Sequence, residues 1–350
     1  MKETKIRSID GTEKDIPVLK EAGRIIRAGG LVVFPTETVY GIGANGLDAD
    51  ACRSIYTAKG RPSDNPLILT VPGKEEAKAA ASYVPALAEK LMDIFWPGPL
   101  TLVLPRKAVV PDAATGGLDT VALRCPAHAG CRAFLRAAAV PVAGPSANLS
   151  GRPSPTTAAE AARDMGGRVD MILDGGACDV GVESTIVEVL EDEVVILRPG
   201  AVTEEMLAAV TPRVTVDKTL ITGTGVPKAP GMKYRHYAPN APMQVFVGRT
   251  EAVAAAIERE TLRLRKDGGR VGYLVSTETA NLLRTVDAPT FVWGRHGDKK
   301  ELARNLYTGL LFFDTAPADY ILAEGVAAGD IGTAVMNRMK KAAAGAVVDV

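Results

Sequence analysis

Six short segments of this 350-residue chain gather hydroxyls, amides and cations into what read as loops. In chain order they are Pro35-Thr36-Glu37-Thr38-Val39-Tyr40-Gly41, Lys59-Gly60-Arg61-Pro62-Ser63-Asp64-Asn65-Pro66-Leu67, Thr120-Val121-Ala122-Leu123-Arg124, Ala143-Gly144-Pro145-Ser146-Ala147-Asn148, Gly181-Val182-Glu183-Ser184-Thr185 and Arg198-Pro199-Gly200. A triphosphate carries about four negative charges, and its cleavage calls for cations and hydrogen-bond donors aimed at the place where charge develops. Lys59, Arg61, Arg124 and Arg198 are groups of that kind. Taken singly, each arginine reads equally well as a side chain that pins a loop.

Other chemistries are disfavoured by spacing. Gly41-Ile42-Gly43-Ala44-Asn45-Gly46 spells a dinucleotide fingerprint, but PTETVY intervenes between it and the apolar run ending at Phe34. In the true motif the first glycine ends the strand, so we reject the match. The chain has no GxxxxGK[ST] phosphate loop. Ser146 resembles a nucleophile elbow only until Asn148, which stands where the second glycine belongs, and no histidine offers itself as its base. Cys52, Cys125, Cys131 and Cys178 form no CxxC pair, and His128, His236 and His296 are far apart. The sequence therefore predicts no structural zinc site, and the cysteines read as small hydrophobes in a reducing compartment.

The polar segments need elements to hold them. Val18, Ala22, Ile25 and Ile26 give a helix over 16–28 stopped by Gly29-Gly30. A second helix runs from an Asp48 cap to Lys59 and delivers Lys59 and Arg61 at its C-terminal end. Further helices are expected over 85–95 and over 156–165 with a threonine cap. Strands are expected at 31–34, 67–71, 100–104, 121–124, 140–143, 171–173, 185–189 and 194–197. Not every neighbouring pair has a helical crossover between them, so the sheet should be mixed. Beyond a Thr-, Gly-, Pro- and Lys-rich stretch, strands at 244–247, 271–275, 290–293 and 320–323 alternate with helices near 251–265, 278–284 and 299–313. A last helix from about Ile331 carries Arg338, Lys340 and Lys341. That order predicts a smaller parallel-sheet domain.

The boundaries follow: a catalytic α/β domain over 10–210, a linker over 211–242 and a second domain over 243–350. The linker ends in APGMKYRHYAPNAP, rich in aromatic, histidine and basic residues for a tether. Forty-one basic residues balance 41 acidic ones, which argues against a surface devoted to nucleic acid or an anionic membrane. The first thirty residues do not read as a signal peptide, and no segment is apolar over a bilayer's thickness. A soluble, cytoplasmic protein is expected.

Together and in this order, the segments resemble the YrdC family of threonylcarbamoyl-AMP synthases. The resemblance is carried by PTETVYG, KGRPSDNPL, WPGPLT, GLDTVALR, PSANLSGRPSPT and GVESTIV over roughly residues 10–205, and APGMKYRHYAP extends it to the long, two-domain form. It implies a YrdC-like twisted mixed-sheet α/β catalytic domain, a linker folding over the active site and a smaller Rossmann-like parallel-sheet domain. It implies a catalytic tetrad of Lys59, Arg61, Ser146 and Asn148. It implies threonine contacts at Thr38, Thr70, Arg124, Ala143 and Ser184. For ATP it implies Lys59, Arg61, Asn65, Thr120, Ser146, Ser154 and Arg198, with His236 brought in by the linker. Thr70 stands where some relatives have a histidine.

The implied activity is that of a nucleotidyltransferase. L-Threonine, bicarbonate and ATP, the last with Mg²⁺, give L-threonylcarbamoyl-AMP and pyrophosphate. The product serves threonylcarbamoyladenosine formation at adenosine 37 of tRNAs reading codons that begin with adenine. Its consumer is a threonylcarbamoyl transferase machinery acting on tRNA; direct tRNA contact by this chain is left open, and no membrane partner is expected. Two rival readings are disfavoured. A nucleic-acid-binding module is opposed by the balanced charge and by the lack of interleaved aromatic and basic runs. A carbamoyl-transfer enzyme of the hydrogenase-maturation kind carries zinc-finger and acylphosphatase segments that this chain lacks.

Overall fold

A computed structural model describes residues 2–217, 236–284 and 287–350. These residues divide into two units: 2–150, 154–179 and 183–217 form the first, and 151–153, 180–182 and the described residues from 236 onward form the second.

The first unit is built on one mixed sheet. Its strands are β1 (Lys5–Ser8), β2 (Val32–Phe34), β3 (Gly41–Asn45), β4 (Ile68–Thr70), β5 (Leu100–Pro105), β6 (Thr120–Arg124), β7 (Val142–Gly144), β8 (Met171–Asp174), β9 (Thr185–Val189), β10 (Val194–Arg198) and β11 (Val214–Val216). They lie in the order β1-β8-β2-β3-β7-β4-β6-β5-β9-β10-β11. The pairs β1/β8, β8/β2, β4/β6, β5/β9 and β10/β11 are parallel and the others antiparallel. Helices Ile16–Arg27 and Ala129–Ala138 bury Leu19, Ala22, Ile26, Phe134 and Leu135 against Val32, Phe34, Val142 and Met171. A larger core gathers Val33, Ile42, Ile55, Leu69, Leu102, Leu123, Ile172 and Val187.

The rejected fingerprint is a strand, β3, antiparallel to β2. Its glycines are there for space. A Cβ on Gly41 would lie 2.8 Å from Phe34 Cζ, and one on Gly43 2.5 Å from Val142 Cγ1 and 2.8 Å from Phe34 Cε1. These are distances real side chains do not tolerate in a close-packed interior.

Several boundaries differ from expectation. Lys5–Ser8 joins the sheet ahead of residue 10, and Val214–Val216 adds a strand within the stretch read as linker. Residues 218–235, most of that linker, lie outside the described residues, and so does the expectation that it folds over the active site. The helix expected over 156–165 is Ala158–Met165, and its threonine cap is Thr157. Thr157 and Glu160 form a reciprocal capping box, while the Glu160 carboxylate also accepts from the amide and hydroxyl of Thr156.

In the second unit β12 (Met243–Val247), β13 (Val271–Val275), β14 (Thr290–Val292), β15 (Tyr320–Glu324) and β16 (Val347–Asp349) form an all-parallel sheet in the order β14-β13-β15-β12-β16. Helices Thr250–Lys266, Thr277–Leu282, Lys299–Phe312 and Ile331–Ala342 connect the strands. Arg338, from the basic run, is fully buried, with its guanidinium carbon 6.0 Å from the Tyr237 ring centre. No helix among the described residues is long and apolar enough to cross a membrane.

Candidate active site

The helix Ala49–Lys59 places the first cation. Asp48 caps it, its carboxylate accepting from the amides of Asp50 and Ala51, and Gly60 ends it in the left-handed region at φ 61°. Lys59, the last helical residue, is therefore turned into the protein, where it is 2% exposed. Its ammonium donates to the carbonyl of Ser146 at 2.5 Å and to that of Asn148. Burial, and then the charge of neighbouring Arg61, hold the Lys59 ammonium well below the usual lysine range, against the opposing pull of Asp164.

The Ser146–Asn148 loop follows β7. The Ser146 hydroxyl donates to Asn148 Oδ1 at 2.5 Å, the Asn148 amide donates to the carbonyl of Leu149 at 2.8 Å, and Ser146 bridges to Gly41. Lys59, Ser146 and Asn148 thus form one bonded cluster. Arg61 adjoins the entry to β4, its Nη2 lying 3.4 Å from the carbonyl of Asn65 and 3.3 Å from that of Pro66. The Asn65 side chain is buried, and its Oδ1 has no hydrogen-bond partner among the described residues.

Strand directions sort the remaining residues. β2 and β7 run one way and β4 and β6 the other, so Thr38, Ser146, Asn148, Asn65 and Thr120 share one end of the sheet. Thr70 and Arg124 lie directly across from each other at the other end, where Thr101 and Ser184 enter β5 and β9 and Arg198 leaves β10. There the Ser184 hydroxyl shares a hydrogen bond with that of Thr101 at 2.8 Å. Arg198 donates to the Ser184 carbonyl from Nε at 3.1 Å and Nη2 at 3.0 Å, and to its hydroxyl at 3.2 Å. Ala143 sits in β7 beside Leu69.

Two contacts tie these ends together. Arg124 Nη2 lies 2.8 Å from Glu37 Oε1, both side chains 9% exposed, and the Ser154 hydroxyl donates to Glu183 Oε1 at 2.6 Å. Thr38, next to Glu37, is fully buried, its hydroxyl 2.8 Å from that of Thr36. His236 belongs to the second unit, its ring 5.4 Å from that of Tyr237.

Glu37 and Glu183 lie within the polar segments PTETVYG and GVEST without any sequence signal of a role, and Thr101 lies in WPGPLT; an acid between two threonines is the one mark Glu37 carries in the sequence. The cysteines are all free and buried, with the Cys125 thiol pushed up to about 11 and that of Cys52 to about 12, chiefly by burial. Thiols held so high are poor nucleophiles at neutral pH.

Residues 24–200 match the Sua5/YciO/YrdC family, described as telomere recombination, and residues 202–344 match the family described as threonylcarbamoyl-AMP synthase, C-terminal domain. The threonylcarbamoyl-AMP synthase of Pyrococcus abyssi is 43% identical over 334 residues, covering 95% of this chain and 96% of that protein. The Bacillus subtilis threonylcarbamoyl-AMP synthase is also 43% identical, over 95% of this chain and 94% of its own length. A crystal structure of P. abyssi Sua5 complexed with L-threonine superposes with a TM-score of 0.90 at 42% identity, covering 100% of this chain and 99% of that one.

Proposed function

The chain belongs to the Sua5/YciO/YrdC family, and from that premise we propose that it condenses L-threonine, bicarbonate and ATP into L-threonylcarbamoyl-AMP with release of pyrophosphate. The observation that carries the reading is a buried, hydrogen-bonded Lys59–Ser146–Asn148 cluster on the same sheet as the Arg124–Glu37 and Arg198–Ser184 pairs, in a chain similar over nearly its whole length to enzymes of that name.

In this scheme Arg124 clamps the threonine carboxylate, helped by the hydroxyls of Thr38 and Ser184 and bordered by Thr70 and Ala143. The threonine ammonium releases a proton to solvent, and the free amine combines with bicarbonate to give an N-carboxy carbamate and water. A carbamate oxygen attacks the α-phosphorus of ATP, the bond from that phosphorus to the bridging oxygen breaks, and pyrophosphate leaves with the electron pair. Lys59, Arg61 and Arg198 meet the phosphate charge, with Asn65, Thr120, Ser146, Asn148 and Ser154 as polar contacts; Mg²⁺ enters with ATP as part of the substrate. His236 is assigned to the nucleotide on the resemblance alone. The residues position reactants and stabilise charge, and no protein nucleophile is required. The product goes to a threonylcarbamoyl transferase machinery acting on tRNA, in the cytoplasm.

The test is pyrophosphate release by the purified protein with MgATP, threonine and bicarbonate, with each of the last two omitted in turn. ATP cleavage that ignores threonine contradicts the reading.

A further inference from the structure

Six carboxylates are buried among the described residues: Asp15, Glu37, Glu160, Asp164, Glu183 and Glu324. Five have evident structural employment. Asp15 accepts from the amides of Asp10 and Gly11, Glu160 completes the capping box, Asp164 accepts from the Leu149 amide, Glu183 from the Ser154 hydroxyl and Glu324 from the Ser276 amide. Glu37 differs. Neither of its oxygens has a hydrogen-bond partner among the described residues, and the same holds for Arg124 Nη2. The two groups approach to 2.8 Å, but not in the alignment a hydrogen bond needs. Arg124 spends its Nε on the Gly98 carbonyl at 3.4 Å, which leaves the outer part of its fork toward Glu37.

A buried carboxylate and guanidinium that satisfy each other's charge but not each other's hydrogen-bonding capacity make an incomplete site. What completes it is a ligand carrying an anion for the guanidinium and a donor-rich cation for the carboxylate, one carbon apart. An α-amino acid zwitterion is such a ligand. We propose that Glu37 is the receptor for the threonine α-ammonium, so that Arg124 and Glu37 grip the two charged ends of the amino acid as a pair. The assignment rests on the synthase reading and deepens it: Glu37 selects an amine-bearing substrate, and the adjacent Thr38 lies within the same turn of chain.

Calorimetric titration of the full chain tests this with two ligands, L-threonine and 2,3-dihydroxybutanoate, which replaces the ammonium by a hydroxyl. The wild-type protein is expected to prefer threonine by about 10- to 100-fold, the range of a hydrogen bond to a charged group. Glu37→Gln should erase that preference by weakening threonine alone, leaving the dihydroxy acid unchanged. Threonine binding by Glu37→Gln within about threefold of wild type, or an equal loss for both ligands, overturns the proposal. Should Glu37→Gln fail to fold, Glu37→Asp decides: it retains the charge and must keep a preference for the amine at reduced affinity, and an unreduced threonine affinity counts against us. Failure of the wild type to bind threonine at all would instead strike the synthase reading itself.

Discussion

Replacing Lys59 by methionine keeps a similar stem and removes the ammonium. The Ser146 and Asn148 carbonyls then lose a common donor. Leaving a buried acceptor unmet costs about 1–3 kcal/mol, so the two together cost about 2–6 kcal/mol. Against this stands the desolvation of a fully buried ammonium, itself several kcal/mol in real proteins. The terms are of similar size and opposite sign, and global stability at pH 7 should change by less than about 2 kcal/mol. Activity should not survive, because losing one preorganised charge at a phosphoryl site costs on the order of 10²–10³ in turnover. The pH dependence supplies a second reading. Because the folded-state pKa of Lys59 is depressed, the unfolded chain binds one more proton between that value and about 10.4. Wild-type stability therefore gains from Lys59 as pH rises through this window, by up to about 1.4 kcal/mol per pH unit, and that gain is lost as pH falls through it. Urea unfolding of wild type and Lys59→Met at several pH values, with pyrophosphate release at pH 7, measures both. A variant that turns over within tenfold of wild type, or whose stability tracks wild type in parallel to high pH, refutes the reasoning.

Arg198→Met should raise the KM for ATP, because a cation meeting the phosphates is lost, and the KM for threonine about tenfold, because Ser184 loses three contacts that fix its carbonyl and hydroxyl; steady-state kinetics with each substrate varied checks both. Gly43→Ala should destabilise by about 1–3 kcal/mol through the clash with Val142 and Phe34, seen as a lower urea midpoint at unchanged slope. A chain ending before Ala229 should lose synthesis altogether, as measured by pyrophosphate release, and full activity in the shortened chain would contradict a role for the linker in turnover.

Much of the scaffold was legible because its core strands are short apolar runs. Thr185–Val189 and Val271–Val275 fall where the sequence puts them, and the Asp48 cap and Lys59 terminus follow from a helix with strong end signals. Elements without such runs escaped. β3 has glycine at 41 and 43 because Phe34 and Val142 occupy the space of their side chains, β1 is exposed at all four positions, and β11 and β16 are three residues long. The site residues were legible as polar segments after apolar runs, and through the family resemblance, but their partnerships were not. Arg124 with Glu37 joins positions far apart in sequence, and Arg198 with Ser184 depends on the antiparallel return of β10 along β9. The second unit also claims residues 151–153 and 180–182, short stretches whose composition carries no mark of a boundary.

The most direct measurement of the central claim is the dependence of pyrophosphate release on both small substrates, with the adenylate product identified by mass spectrometry. The account predicts no release above background when either threonine or bicarbonate is withheld, and a threonylcarbamoyl adenylate when both are present. Release of pyrophosphate at the same rate without threonine would contradict it.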